Sequence, residues 1–404
     1  MKQGRFAGGY KIPSALAKLL LAHEKWRLQN CLNFLPSENI ASHAVRHVLG
    51  CDLSNRYTSP ERFYMGTRYI DDIQAETEDL AKRVFRAKYA DVRPISGHTT
   101  DMIALSALAQ HGDKIIVVGK DNGGYPGISQ NGYPSIYGLE VLEFPFKRQA
   151  YNIDTEKSAR MIEQQEPSLV VFGASLFLFP HPVRELTGVC SRTGAEILYD
   201  GSHVLGLIAG SCFQDPLREG ASVLIGSTHK SFFGPQGGII LANDHEDELR
   251  RAVHPALLDN AHWNRIAALY VALSEMKRFG KQYARQVIRN SKVLARALHD
   301  HGVKLLGEDR GFTESHQTIV DVPSIDEGRR LASRLEEANI IVDVGIRVGT
   351  SEETRRGMRE EEMNQIAELI SRVWIHDEDP KKLKKDVRRI RREFPSIQYS
   401  YDAL

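Results

Sequence analysis

The chain has 404 residues, 53 Lys and Arg against 52 Asp and Glu, and a net charge of +1, which excludes binding to nucleic acid through overall positive charge. Hydrophobic residues at 42% and charged residues at 26% describe an ordinary globular composition, with length for two or three domains. Cys31, Cys51, Cys190 and Cys212 form no CxxC pair, so neither a disulfide scaffold nor a metal site is expected, and no run of about 18 apolar residues is present to cross a membrane.

The N-terminal apolar patch is interrupted by Lys18 and turns charged. It reads as an amphipathic helix rather than a signal peptide, and the protein as cytoplasmic with reduced thiols. The first 50 residues read as helical, with a break at Phe34-Leu35-Pro36-Ser37. Residues 51–70, rich in Tyr, Pro, Arg and Gly, read as an ordered loop, and Ile73, Leu80 and Val84 give helical spacing over 71–90. From about 92 to 245 short apolar runs alternate with helical stretches. Strands are expected at 114–118, 139–144, 169–172, 196–199, 223–225 and 238–241. Near-continuous apolar strands joined by helices predict an α/β doubly wound domain with a mostly parallel sheet covered on both faces.

Leu269, Leu273, Met276, Phe279 and Tyr283 predict a long helix over 262–300. Beyond it, strands at 303–306, 317–322 and 340–344 alternate with helices at 326–338 and 360–376, a smaller α+β domain. The expected division is a helical arm and dimer segment over 1–60, a large domain over 61–290 and a small domain over 291–404. In the basic stretch KKLKKDVRRIRREF, Leu383, Val387, Ile390 and Phe394 recur at helical spacing. That predicts a helix docked on the small domain, with contact to an anionic surface as the alternative.

Four segments carry chemistry. Lys230 stands in the Gly-, Thr- and Pro-rich run from Gly226 to Gly238, between two apolar strands. It is either a Schiff-base nucleophile activated by burial or an anion-binding lysine in a glycine-rich turn. Asp200 ends an apolar strand, with His203 three residues on. It is either a helix N-cap or the carboxylate that a pyridoxal phosphate nitrogen requires. Ser96, Gly97 and His98 open a helix, as an anion site at its N-terminus or as a capping box. Arg347, between Gly345 and Gly349, presents its fork to a substrate carboxylate or to a structural ion pair.

Together these motifs resemble the serine hydroxymethyltransferase family of fold-type I pyridoxal-phosphate enzymes, from about residue 30 to 395. Ser37-Glu38-Asn39, Asn55-Arg56-Tyr57, Ser96-Gly97, Phe172-Gly173-Ala174-Ser175, Asp200 to His203, Ser227 to Gly238, and Gly345 to Gly357 carry the resemblance in order. The 200–238 and 279–317 regions also look like the folate-independent threonine aldolases and transaldolases of the family. The resemblance implies a pyridoxal 5'-phosphate enzyme, a homodimer with shared active sites, acting on a small amino acid and an aldehyde. Lys230 would form the Schiff base. Asp200 would face the ring nitrogen, Ser96 and Gly97 the phosphate, and Ser175 the ring hydroxyl, with His98, Tyr125, His203 and Ser227 also at the cofactor. Tyr57 would arrive from the partner, and Ser37, His203 and Arg347 would hold the substrate carboxylate. His229, Glu38, Glu61 and Tyr64 are the catalytic candidates, with the base unassigned among the first three.

The departures fall on the side where the family meets folate. Ser59 stands where the family has a glutamate, and the following loop is shortened, leaving Glu61 as the nearest carboxylate. Tyr125 in Gly123-Gly124-Tyr125 replaces the family's stacking histidine, and the segment before Gly345 lacks a longer folate-contacting loop. The expected reaction is therefore folate-independent aldol or transaldol chemistry on a β-hydroxy-α-amino acid, through a glycine quinonoid. The alternatives are serine hydroxymethyl transfer with tetrahydrofolate, and racemisation or transamination.

Overall fold

The computed structural model describes residues 3–5, 11–59 and 63–403. Seven strands form the central sheet, in the order 89–91, 238–242, 223–227, 196–200, 169–172, 114–117 and 140–143. Only Gly238–Ala242 runs antiparallel to its neighbours. Every residue of Leu169–Phe172, Val223–Ser227 and Gly238–Ala242 is buried, as continuous apolar strands between two helical layers require. The six expected strands are present to within two residues at either end. Tyr89–Asp91 is a seventh, edge strand that the helical reading of 71–90 had absorbed. Helix Arg68–Phe85 stops there because Arg86 turns left-handed at φ 57°, and three residues are too few to show alternation.

The second core is not built from the C-terminal third alone. Leu32–Asn33, near the N-terminus, pairs in parallel with Ile340–Ile341, and Gln317–Ile319 pairs antiparallel with Arg347–Gly349. The strand expected at 303–306 reduces to a single bridge between Leu305 and Val320. Leu32 and Phe34 pack with Leu331, Ile340 and Ile366 in a second core. The C-terminal helix Pro380–Glu393 docks on it through Leu383, Val387 and Ile390, as the apolar spacing anticipates. Helix Trp263–Asp300 spans both cores, with Leu273 and Met276 in the sheet's core and Leu294 and Leu298 in the other. No helix among the described residues is long and apolar enough to cross a membrane.

One buried ion pair ties that helix to the small-domain segment after Arg347. Arg355 and Glu275 are both fully buried, with Nη2 2.7 Å from Oε2. The guanidinium lies 3.6 Å over the Phe233 ring and also donates to the Tyr399 carbonyl. Removing one member strands a buried charge, whereas replacing both with apolar groups does not. Glu275→Leu should therefore lower stability by about 3–5 kcal/mol in urea unfolding, and Glu275→Leu with Arg355→Met should recover most of it. A double variant as unstable as the single one would show that the pair is not the origin of the loss.

Candidate active site

The carboxyl ends of the parallel strands face one region, and the helix Gly97–Leu108 opens onto it. Ser96 is that helix's N-cap, its Oγ accepting the Thr99 N–H at 3.0 Å. The capping reading is therefore correct, and it leaves room for an anion, because capping leaves other first-turn N–H groups without helical acceptors. Gly97 packs where no side chain fits. A Cβ there would lie 2.2 Å from Ser227 Oγ and 3.1 Å from Ser202 Oγ. Ser202 Oγ in turn accepts the Ser227 N–H at 3.1 Å. Small hydroxyl residues thus converge from three segments on a cradle that a single methyl would fill.

Lys230 lies in the turn after strand Val223–Ser227, and burial lowers its ammonium pKa. Asp200 and Asp101 oppose that shift, while Arg347 adds to it. Its backbone is pinned by Asn39, whose Nδ2 donates to the Lys230 carbonyl and to Tyr283 Oη, both at 2.8 Å. Asp200 closes its strand with Oδ1 accepting the Ser202 N–H at 2.9 Å, and its Oδ2 takes no hydrogen bond from the described residues. Asp101 is wholly buried near Asp200, and burial raises its pKa well above the carboxylate range. Tyr125 is held by His98, whose Nδ1 lies 2.9 Å from its hydroxyl. His98 also packs edge-on to Tyr133, with centroids 4.8 Å apart.

The carboxylate side is a linked set. Arg347 Nε donates to Asp343 at 2.7 Å and Nη1 to the Ser175 carbonyl at 2.9 Å. The structural ion pair therefore exists, but it uses one edge of the fork, and Nη2 has no partner among the described residues. Ser175 acts here through its carbonyl, which also accepts from Gln317 Nε2 at 3.2 Å. Gln317 Oε1 accepts the Phe177 N–H at 3.1 Å, which fixes the amide's orientation. Its Nε2, 2.8 Å from His203 Nδ1, must then donate, so the His203 proton sits on Nε2. Burial, with Lys230 and Arg347 nearby, holds His203 neutral. His316 stacks on it at 5.7 Å, its own pKa pushed down to about 3 by burial.

Ser37, Glu38 and His229 line a cavity of about 480 Å³ beside the Lys230 turn. Glu38 is half exposed and accepts from Arg27 at 2.7 Å and Asn33 at 2.9 Å. His229 is pushed down to about 4 by burial, and its Nδ1 has no partner. Tyr57 and Tyr64 stand apart from this site. Their rings meet at 4.9 Å on the surface, and Tyr57 Oη bonds Asp259. Glu61 lies outside the described residues. Gln317, Asn39, Asp101 and Asp343 were not picked out as site residues. Asp343 lies at i−4 from Arg347, inside a stretch read as strand, and Gln317 stands in a run of polar residues from Thr313 onward, in which nothing marks it out by type.

The residues fit pyridoxal 5'-phosphate. A buried amine, a strand-end carboxylate with a free oxygen, and a methyl-tight cradle at a helix N-terminus are the donor set its aldehyde, ring nitrogen and phosphate require. The profile of the serine hydroxymethyltransferase family matches residues 15–370. Serine hydroxymethyltransferase of Methanocella arvoryzae is 45% identical over 393 residues, covering 93% of both chains. That of Pyrococcus abyssi is 42% identical over 405 residues, covering 94% of this chain and 95% of the other. The crystal structure of L-threonine transaldolase from Pseudomonas fluorescens, in its internal aldimine state, superposes with a TM-score of 0.90 at 27% identity, covering 96% of this chain and 94% of that one.

The cradle makes a specific demand. Gly97→Ala forces its methyl into Ser227 Oγ, so the variant should fold but retain cofactor at least tenfold more weakly, about 1.4 kcal/mol, in equilibrium dialysis followed by visible absorbance. Unchanged cofactor affinity would show that the phosphate lies elsewhere.

Proposed function

The chain belongs to the serine hydroxymethyltransferase family, and from that premise we propose that it cleaves and forms the Cα–Cβ bond of a β-hydroxy-α-amino acid without folate, as an aldolase or transaldolase. It is a pyridoxal-phosphate-dependent enzyme of fold type I. The finer assignment is supported by the turn before Arg347. Where the family carries a longer folate-contacting loop, this chain passes from Ile340–Ile341 into a tight turn. There the Ile346 N–H bonds the Asp343 carbonyl at 3.0 Å, and Asp343 grips Arg347. The segment is spent on orienting the carboxylate-binding arginine, which leaves little chain for a pterin wall.

Pyridoxal 5'-phosphate, when bound at Lys230, supplies the electron sink for the carbanion left as a bond at Cα breaks. The chain's residues do the rest. Arg347 Nη2 receives the substrate carboxylate, with the guanidinium plane set by Asp343 and the Ser175 carbonyl. His203, fixed as the Nε2–H tautomer by Gln317, offers a donor and carries no charge. Asp200 keeps an oxygen free to hold a proton at the ring nitrogen. The β-hydroxyl proton falls to Glu38 or His229, the candidates that share the 480 Å³ cavity.

Folate-dependent hydroxymethyl transfer is the second reading, favoured by relatives at 41–45% identity that carry the name serine hydroxymethyltransferase. We also read the enzyme as a cytoplasmic homodimer. Phe63, Met65 and Tyr69 are 68–93% exposed, and Phe63 packs edge-on to Tyr64, which meets Tyr57, an apolar surface suited to a second copy; all four cysteines are free thiols.

Two experiments test this. Threonine or a bulkier β-hydroxy amino acid should release its aldehyde without tetrahydrofolate, and tetrahydrofolate should leave serine cleavage within about tenfold of its basal rate, 1.4 kcal/mol. A larger acceleration would establish the second reading. Arg347→Ala should weaken amino-acid binding by about 2–5 kcal/mol while borohydride still traps cofactor on Lys230. Unaltered amino-acid affinity would reduce Arg347 to its ion pair with Asp343.

A further inference from the structure

A second cavity, of about 260 Å³, lies between the end of the N-terminal helical segment, the helix His43–Leu49 and the C-terminal helix Pro380–Glu393. Arg46, Arg356, Arg391 and Arg392 line it, and no carboxylate does. Arg391 is 5% exposed and, among the described residues, donates only to the carbonyls of Leu28 and Phe394, with no acid within ion-pair distance. Burial and the nearby Arg356 work against its ionisation, while Glu353 and Glu352 favour it from further away. Arg356 is 3% exposed, and its Nη2 donates to Glu352 at 2.8 Å, while Nε has no hydrogen-bond partner. Glu353 approaches that Nε only to 4.0 Å. The exposed side chains of Arg46 and Arg392 make no ion pair among the described residues.

Four guanidinium groups from three segments thus converge, with Glu352 as the one carboxylate hydrogen-bonded to them and Glu353 at 4.0 Å from Arg356 Nε. Two of them are buried, where an unmatched charge is most unfavourable. The excess exceeds one positive charge, more than a monocarboxylate neutralises. A phosphate monoester carries about −1.5 to −2 charges at pH 7 and matches the arginine fork with paired oxygens. The cavity is larger than a phosphate alone, and Ile40, Pro395 and Ile397 give its wall an apolar portion. We propose that this cavity binds a small organic phosphate monoester, its phosphate held by Arg46, Arg356 and Arg392 and its carbon chain lying against Ile40 and Ile397.

The test is calorimetric titration of the dialysed holoenzyme, whose cofactor already fills the phosphate cradle, with glycerol 3-phosphate as probe. Saturable binding at one site per chain is expected, with Kd of about 1 mM or tighter. Arg46→Gln with Arg392→Gln, both at exposed positions, should weaken it at least tenfold and leave the cofactor's absorbance unchanged. Absence of saturable binding, wild-type affinity in the double variant, or tighter binding of succinate than of glycerol 3-phosphate would each overturn the proposal.

Discussion

The burial of one amine organises this molecule. Lys230 sits at the end of a strand whose residues are all buried, and an ammonium there is unfavourable unless it loses its proton or finds an anion. Its surroundings pull both ways. Asp200 favours the charged form and Arg347 disfavours it, while burial holds Asp101, His203, His229 and His316 toward their neutral forms. The charged groups left around the amine are Asp200, Arg347 and the Asp343 that pairs with it, and on the proposed reading Lys230, Asp200 and Arg347 face a cofactor aldehyde, a ring nitrogen and a carboxylate. Each neutral neighbour removes a competing ion partner from that set.

Precision in this arrangement comes from backbone and amide groups rather than from more charge. The Ser175 carbonyl meets both Arg347 and Gln317, and Ser175 belongs to the segment after strand Leu169–Phe172, on the sheet side. Gln317 and Arg347 lie on paired strands of the second core. The Gly349 N–H donates to the Phe34 carbonyl, and an added Cβ at Gly349 would strike Pro36, so the segment carrying Ser37 is locked to the same strand pair. The carboxylate side therefore exists only when both cores are packed together, which gives the shared helix Trp263–Asp300 and its Arg355–Glu275 pair a functional consequence beyond stability.

The parallel strands and the long helix were legible because each is an unbroken apolar run or stripe, a signal local in sequence. Tyr89–Asp91 was not, since an edge strand of three residues has no periodicity to display. Lys230, Asp200, Ser96, Gly97 and Arg347 announce themselves by residue type in a defined setting. Gln317 does not, because its role depends on a donor, Phe177, that lies 140 positions away and meets it only in the folded chain. Asp343 shows the intermediate case. Its spacing to Arg347 was visible, but a turn rather than a strand is what brings the two side chains together.

Tyr125 carries the argument about chemistry one step further. It occupies the place where an imidazole is expected by resemblance, and its hydroxyl is tied to His98 while burial raises its pKa. A phenol so placed can form a wall, and burial disfavours its ionisation. His203 is held neutral with one nitrogen committed to Gln317, and His316 is deeper still. On the proposed reaction, the groups left to move a proton are Glu38, which retains access to solvent, and His229, which retains an unpartnered nitrogen. Both line the 480 Å³ cavity, so on that reading an aldehyde entering or leaving through it would pass the groups able to take and return its proton.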